Sequence, residues 1–192
     1  MSDSKPPPPS FQQFATIFRL AGWASFWTQL VLGVVSTLIL IAASFSRDVG
    51  PQAQRSPGTG VGIVLAVSGV VTLGLSVYLA FRYTRIARRL QFSDANNRPR
   101  KADTIQILRL GLIVNLVGML VTILGAQAIA GTLIIRSLSL PQTGGLGATI
   151  YNSQQLIKPL DIFVVQANTN TVAAHFAGLA ISLFLLNSVS RH

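Results

Sequence analysis

The fold class this sequence predicts is all-α: an integral membrane bundle of four transmembrane helices, both ends cytoplasmic, with a short amphipathic segment before the first span. Three observations predict it. Half of the 192 residues are hydrophobic and 10% are charged, against about a quarter charged in an average soluble domain. The apolar residues fall into four blocks, each longer than the roughly 20 residues needed to cross hydrocarbon. The basic residues, which set a net charge of +10, gather beside and between the blocks, as loop charges that orient a membrane protein do.

Residues 1–10, with Pro6 to Pro9, read as a disordered or extended Pro-rich tail, and residues 11–192 as one four-helix domain. Phe11, Phe14 and Phe18 recur at helical spacing, with Ser10 and Gln13 in capping-box positions. That pattern predicts an amphipathic turn or two lying on the membrane surface. The first span covers about residues 20–45, with no charge between Arg19 and Arg47. Ala42-Ala43-Ser44 offers small residues near its end, but the stretch is far longer than the apolar core of a signal peptide, so it is expected to remain in the chain.

The second span covers about residues 60–81, between Arg55 and Arg82, and the third about 110–135, between Arg109 and Arg136. A fourth, at about 162–189, has a polar first half and contains His175, which a buried helix face can absorb. The loop joining spans two and three carries Arg82, Arg85, Arg88, Arg89, Arg98, Arg100, Lys101 and Arg109 against Asp94 and Asp103. Such a loop stays cytoplasmic, and Lys5, Arg19 and Arg191 add to the same side. Trp23, Trp27, Tyr78 and Tyr83 are expected at the interface there. Asp94 to Pro99 reads as a turn, and Asp103 or Thr104 as the cap of the third helix.

Lipid is as apolar as leucine, so helices in a bilayer associate through small residues and polar contacts. Each span has such a stripe: Gly22, Gln29, Ser36 and Ala43; Gly62, Ala66, Gly69, Ser76 and Ala80; Gly111, Asn115, Gly118, Thr122 and Gly125; Asn168, Thr171, His175, Gly178 and Ser182. Two readings follow. The stripes are contact seams of a bundle, with their polar members bonded across helices; or Gln29, Asn115, Asn168, Thr171 and His175 line a polar pathway, with His175 a candidate metal ligand. The arginines Arg82, Arg85, Arg88 and Arg89 read as a contact for anionic lipid or an acidic partner, and not for nucleic acid.

Enzyme chemistry finds no foothold. The carboxylates are Asp3, Asp48, Asp94, Asp103 and Asp161, with no glutamate and no cysteine, and no Ser, His and Asp spacing suggests a triad. Gly144-Gly145-Leu146-Gly147 lacks the Gly-Lys-Ser/Thr ending of a phosphate loop and reads as a flexible connection. Asp161, after Pro159, reads as the cap of the fourth helix, with Lys158 beside it as a candidate partner. No resident cofactor is expected.

The run Gly22-Trp23-Ala24-Ser25-Phe26-Trp27-Thr28-Gln29-Leu30-Val31-Leu32-Gly33-Val34-Val35-Ser36 resembles the first span of a cyanobacterial and plastid four-helix membrane family of unknown function, DUF3611. Its plant members include a chloroplast inner-envelope protein described both as an iron permease and as a subunit of the protein-import translocon. The resemblance covers nearly the whole chain in span number and loop charge, and it is specific at residue level in the first span. It implies transport, of iron or another divalent metal; an oligomer would suit so small a chain, since His175 and Asn168 repeated around an axis could form a ring. The alternative is an accessory or scaffold subunit of a membrane complex such as a translocon or a photosynthetic assembly. With no long Ser- and Arg-rich transit segment, the expected setting is a cyanobacterial plasma membrane or thylakoid. Two histidines, two methionines and no cysteine are a thin ligand set for iron.

Overall fold

The computed structural model describes residues 9–48, 57–92, 100–138 and 159–191, and all of them but Arg100 lie in four long helices: α1 (Pro9–Asp48), α2 (Pro57–Phe92), α3 (Lys101–Leu138) and α4 (Pro159–Arg191). Three of the four begin at a proline. A first-turn N–H has no helical acceptor, so proline costs nothing there, and its fixed φ already suits the helix. At α3 the start lies two residues past Pro99. There Thr104 sends both its N–H, at 3.2 Å, and its hydroxyl, at 3.3 Å, back to the carbonyl of Arg100, so the threonine closes the first turn.

Each helix contains a stretch long and apolar enough to cross a membrane: Ala15–Phe45, Val61–Arg89, Lys101–Ile135 and Ile162–Ser190. Between a fifth and a third of each is buried inside the bundle, and exposed valine, leucine, isoleucine and phenylalanine cover the outside. Such a surface is stable only in lipid or against other apolar helices.

The helices close in chain order, α1 against α2, α2 against α3, α3 against α4 and α4 against α1, while α2 and α4 also touch across the diagonal. The buried positions of α3 are Thr104, Leu108, Gly111, Asn115, Gly118, Thr122, Gly125 and Ile129. Their alternating steps of four and three are the spacing that keeps one helix face on its neighbours. The heptad stripe of α1, Gly22, Gln29, Ser36 and Ala43, is buried in the same way.

The segment expected to lie apart on the membrane surface differs in the structure. Helix α1 runs unbroken from Pro9, with Ser10 inside it, and Ala15 and Phe18 are fully buried against Leu79, Ala80, Tyr83 and Leu185. Continuity wins because the α2 and α4 ends extend equally far and supply an apolar surface for Phe18. Residues 1–8, the turn at Asp94 to Pro99, Gly144 to Gly147, Arg55 and Lys158 lie outside the described residues, as do the side chains of Arg47, Arg136, Asp161 and Arg191.

Candidate functional site

The core is layered along the bundle axis. At the end bearing Arg82 to Arg89, an apolar cluster is built from Phe18, Leu79, Ile86, Leu108, Leu185 and Val189. At the opposite end Leu40, Ala43, Ala66, Ile129, Val164 and Ala167 form a second. Between them lies a belt of buried polar side chains: Ser25, Gln29, Ser36, Ser76, Asn115, Thr122, Asn168, Thr171, His175 and Ser182. From Asn168 to Ser182 the belt extends about 20 Å along α4, at ~1.5 Å per residue. That is most of the roughly 30 Å of hydrocarbon.

His175, fully buried, sits where α2, α3 and α4 meet. Its Nδ1 lies 3.2 Å from Asn115 Oδ1 and its Nε2 3.2 Å from the Gly69 carbonyl oxygen. Asn115 is held from both ends: its amide nitrogen donates to the Gly111 carbonyl at 2.8 Å, and its oxygen accepts from the Ser76 hydroxyl at 2.7 Å. On α1, Gln29 donates to Ser25 at 2.9 Å, one turn earlier. Nearer the second apolar cluster, Ser36 donates to the Ala167 carbonyl at 2.9 Å and ties α1 to α4, and the Thr171 hydroxyl donates to the same carbonyl, also at 2.9 Å. Two buried atoms in the belt have no partner, Gln29 Oε1 and Asn168 Nδ2.

The glycines of the stripes are sockets for these polar groups. A Cβ at Gly118 would overlap the His175 ring, one at Gly178 would overlap the Gln29 amide nitrogen and crowd Asn115 Oδ1, and one at Gly69 would meet the Thr122 hydroxyl. At Gly111 it would run into the Tyr83 phenol oxygen. The polar groups of a membrane interior need each other because no water is available to them. Glycine on the facing helix is what lets them come within bonding distance.

All five residues singled out from the sequence as interior candidates, Gln29, Asn115, Asn168, Thr171 and His175, are therefore in the belt. His175 and Asn115 touch each other, and Thr171 shares an acceptor with Ser36. No group of three or more His, Cys, Asp or Glu side chains converges among the described residues. A metal at His175 would have to draw its other ligands from outside this set. Arg82, Arg85, Arg88 and Arg89 are all exposed on the last turns of α2, with Arg19, Arg100, Lys101 and Arg109 exposed at the same end.

The sequence places Tyr83 at the interface with Tyr78; in the structure Tyr78 faces outward and Tyr83 is buried. Tyr83 is 1% exposed, its hydroxyl 3.3 Å from Ser182 Oγ. Its spacing of seven from Ser76 and fourteen from Gly69 was the available signal, since all three fall on one face of α2. Trp23 and Trp27 stack on each other, with Trp27 half exposed as an interfacial anchor would be. On the outer face, a groove of about 290 Å³ opens between α1 and α2, lined by Gln29, Gly33, Val34, Thr37, Leu73 and Gly74.

A closed four-helix bundle with a lipid-compatible exterior and a polar belt in its core defines a multi-pass integral membrane protein. The chain belongs to the DUF3611 family, proteins of unknown function, whose pattern it matches over residues 8–190. It is 36% identical over 175 residues to Protein TIC 21, chloroplastic, of Arabidopsis thaliana. That match takes in 90% of this chain, and the chain spans 56% of the length of the relative. No solved structure matches it.

Proposed function

We propose that this chain is a non-catalytic accessory subunit, a scaffold within a larger membrane complex such as a protein translocon or photosynthetic assembly. The observation that carries this reading is the use made of the polar belt. Its side chains are mostly bonded to one another or to backbone carbonyls, and buried apolar clusters close it at both ends. Polar groups arranged in that way hold helices in register. The exposed arginines Arg82, Arg85, Arg88 and Arg89 supply the outward-facing contact, for an acidic partner or for anionic lipid at about 1 kcal/mol per basic residue. Loop charge supports an orientation with both ends cytoplasmic, the setting of this reading is a cyanobacterial plasma membrane or thylakoid, and the likeness to a chloroplastic protein supports a related membrane.

Affinity purification of the full chain tests it. A stoichiometric partner that is lost when the four arginines become glutamine, with expression and insertion unchanged, is the expected result. Purification of the chain without any such partner from its own membrane would sink the reading.

One observation favours a second reading, movement of iron or another divalent metal through a homo-oligomer. Gln29 Oε1 and Asn168 Nδ2 are buried without partners, as polar atoms facing a pathway would be. Metal flux into proteoliposomes decides between the two. Flux above that of empty vesicles, reduced in His175→Ala, would replace the scaffold with a transporter.

A further inference from the structure

The hydrogen-bond count around His175 does not close for a neutral ring. A neutral imidazole carries one N–H and one bare nitrogen, so it serves one acceptor and needs one donor. Here both ring nitrogens face acceptors, Asn115 Oδ1 on α3 and the Gly69 carbonyl on α2, each at 3.2 Å. Turning the Asn115 amide over does not supply the missing donor, because its nitrogen already serves the Gly111 carbonyl at 2.8 Å and the flip would set two carbonyl oxygens against each other. The Ser76 hydroxyl donates to the same Asn115 oxygen, and since a hydroxyl can serve either orientation it is the Gly111 contact that fixes the amide. The Gly69 oxygen belongs to the backbone of a helix and cannot turn at all.

We infer that His175 is a proton-binding site at the centre of the bundle, where a second ring proton is held between the Asn115 side chain and the Gly69 carbonyl. With the proton present both contacts are charge-assisted hydrogen bonds, roughly twice as strong as neutral ones. Without it, one contact is two lone pairs at 3.2 Å, and at Gly69 the carbonyl already accepts from the Thr72 hydroxyl at 2.8 Å.

The surroundings contain nothing else to take the proton. Facing the ring region from α1 are Gln29 and Ser25, from α2 Gly69, Thr72 and Ser76, from α3 Asn115, Gly118 and Thr122, and from α4 Thr171 and Gly178. No Asp, Glu, Lys or Arg is buried among the described residues, and Tyr83, the other buried titratable side chain, has its hydroxyl beside Ser182, about two turns along α4 from His175. The proton joins α4 to α2 and α3 at once, so its arrival tightens the α2–α4 diagonal and its departure loosens it. This inference does not depend on the scaffold reading, since a scaffold and a transporter would each acquire proton sensitivity from it.

Nitrogen-15 NMR of the histidine side chain in the full chain, in lipid nanodiscs, tests this directly. His192 is the other histidine, and His192→Gln leaves His175 as the sole imidazole. As the pH is lowered over the range in which the bundle stays folded, the ring should pass in one step from a neutral form to one with both nitrogens protonated. In Asn115→Leu the proportion of the doubly protonated form at a given pH should fall about tenfold, the weight of one hydrogen bond to a charged group. Ser76→Ala, which keeps the acceptor, should retain the doubly protonated form. A single neutral tautomer across the whole range in the folded wild-type bundle would overturn the assignment, as would an unchanged proportion in a folded Asn115→Leu variant.

Discussion

Gly118→Ala is the perturbation that tests the socket arrangement most directly. The added methyl would sit on the His175 ring, 2.5 Å from Nε2 and 2.7 Å from the Thr72 hydroxyl. The ring cannot stay and keep both 3.2 Å contacts. Overpacking a closed core costs roughly 1–3 kcal/mol, and two interhelical hydrogen bonds at about 0.6 kcal/mol each add to it. Replacing glycine within a helix returns roughly 0.5–1 kcal/mol, so the net destabilisation is roughly 1–4 kcal/mol. The assay is reversible unfolding in bicelles. Gly131→Ala serves as the control, because a Cβ there meets nothing within 4 Å, and it should be neutral or stabilising by up to about 1 kcal/mol. Combining Gly118→Ala with His175→Ala should remove most of the penalty, giving a coupling energy of about 2 kcal/mol for two groups in contact. Equal effects of Gly118→Ala and Gly131→Ala, or a Gly118→Ala cost unchanged in the His175→Ala background, would refute the reasoning.

The same logic extends to other positions. Gly111→Ala should destabilise by roughly 1–3 kcal/mol because its methyl meets the Tyr83 phenol oxygen, and Tyr83→Phe in the same chain should relieve much of that in unfolding measurements. Alone, Tyr83→Phe should cost about 0.6 kcal/mol for the bond to Ser182. Ser36→Ala removes the hydroxyl that donates to the Ala167 carbonyl between α1 and α4. It should cost about 0.6 kcal/mol and no more than ~1.7, and a cost above that range would mean that more than one bond is lost. The chain has no cysteine, so orientation can be read by single-cysteine labelling in intact cells. Asn97→Cys should be shielded from an impermeant reagent and Gly145→Cys should react; the reverse pattern would overturn the cytoplasmic assignment of the basic loop.

The spans and their inward faces were legible along the chain because both follow from local physics. Hydrocarbon demands about 20 uncharged residues in succession, and close helix packing demands small or polar residues at steps of three and four. Every member of the four stripes, from Gly22 and Gly62 to Gly125 and Ser182, is buried in the bundle. The face carrying Gln29, Asn115, Asn168, Thr171 and His175 could thus be read before any coordinates.

Sequence by itself determined the number of helices, the face each turns inward and the polar groups on that face. Tertiary structure alone decided which groups meet. His175 bonds to a side chain 60 residues away and to a carbonyl 106 residues away, and no local pattern encodes the rotation and axial offset that bring those three helices together. It also turned Tyr83 inward beside Ser182 and drew Phe18 into the core, where interface and membrane surface had been expected. The glycines changed meaning for the same reason. In the sequence Gly118 and Gly178 mark only a face that permits close approach, whereas in the bundle the space each leaves is filled by a particular polar side chain from across the helix boundary.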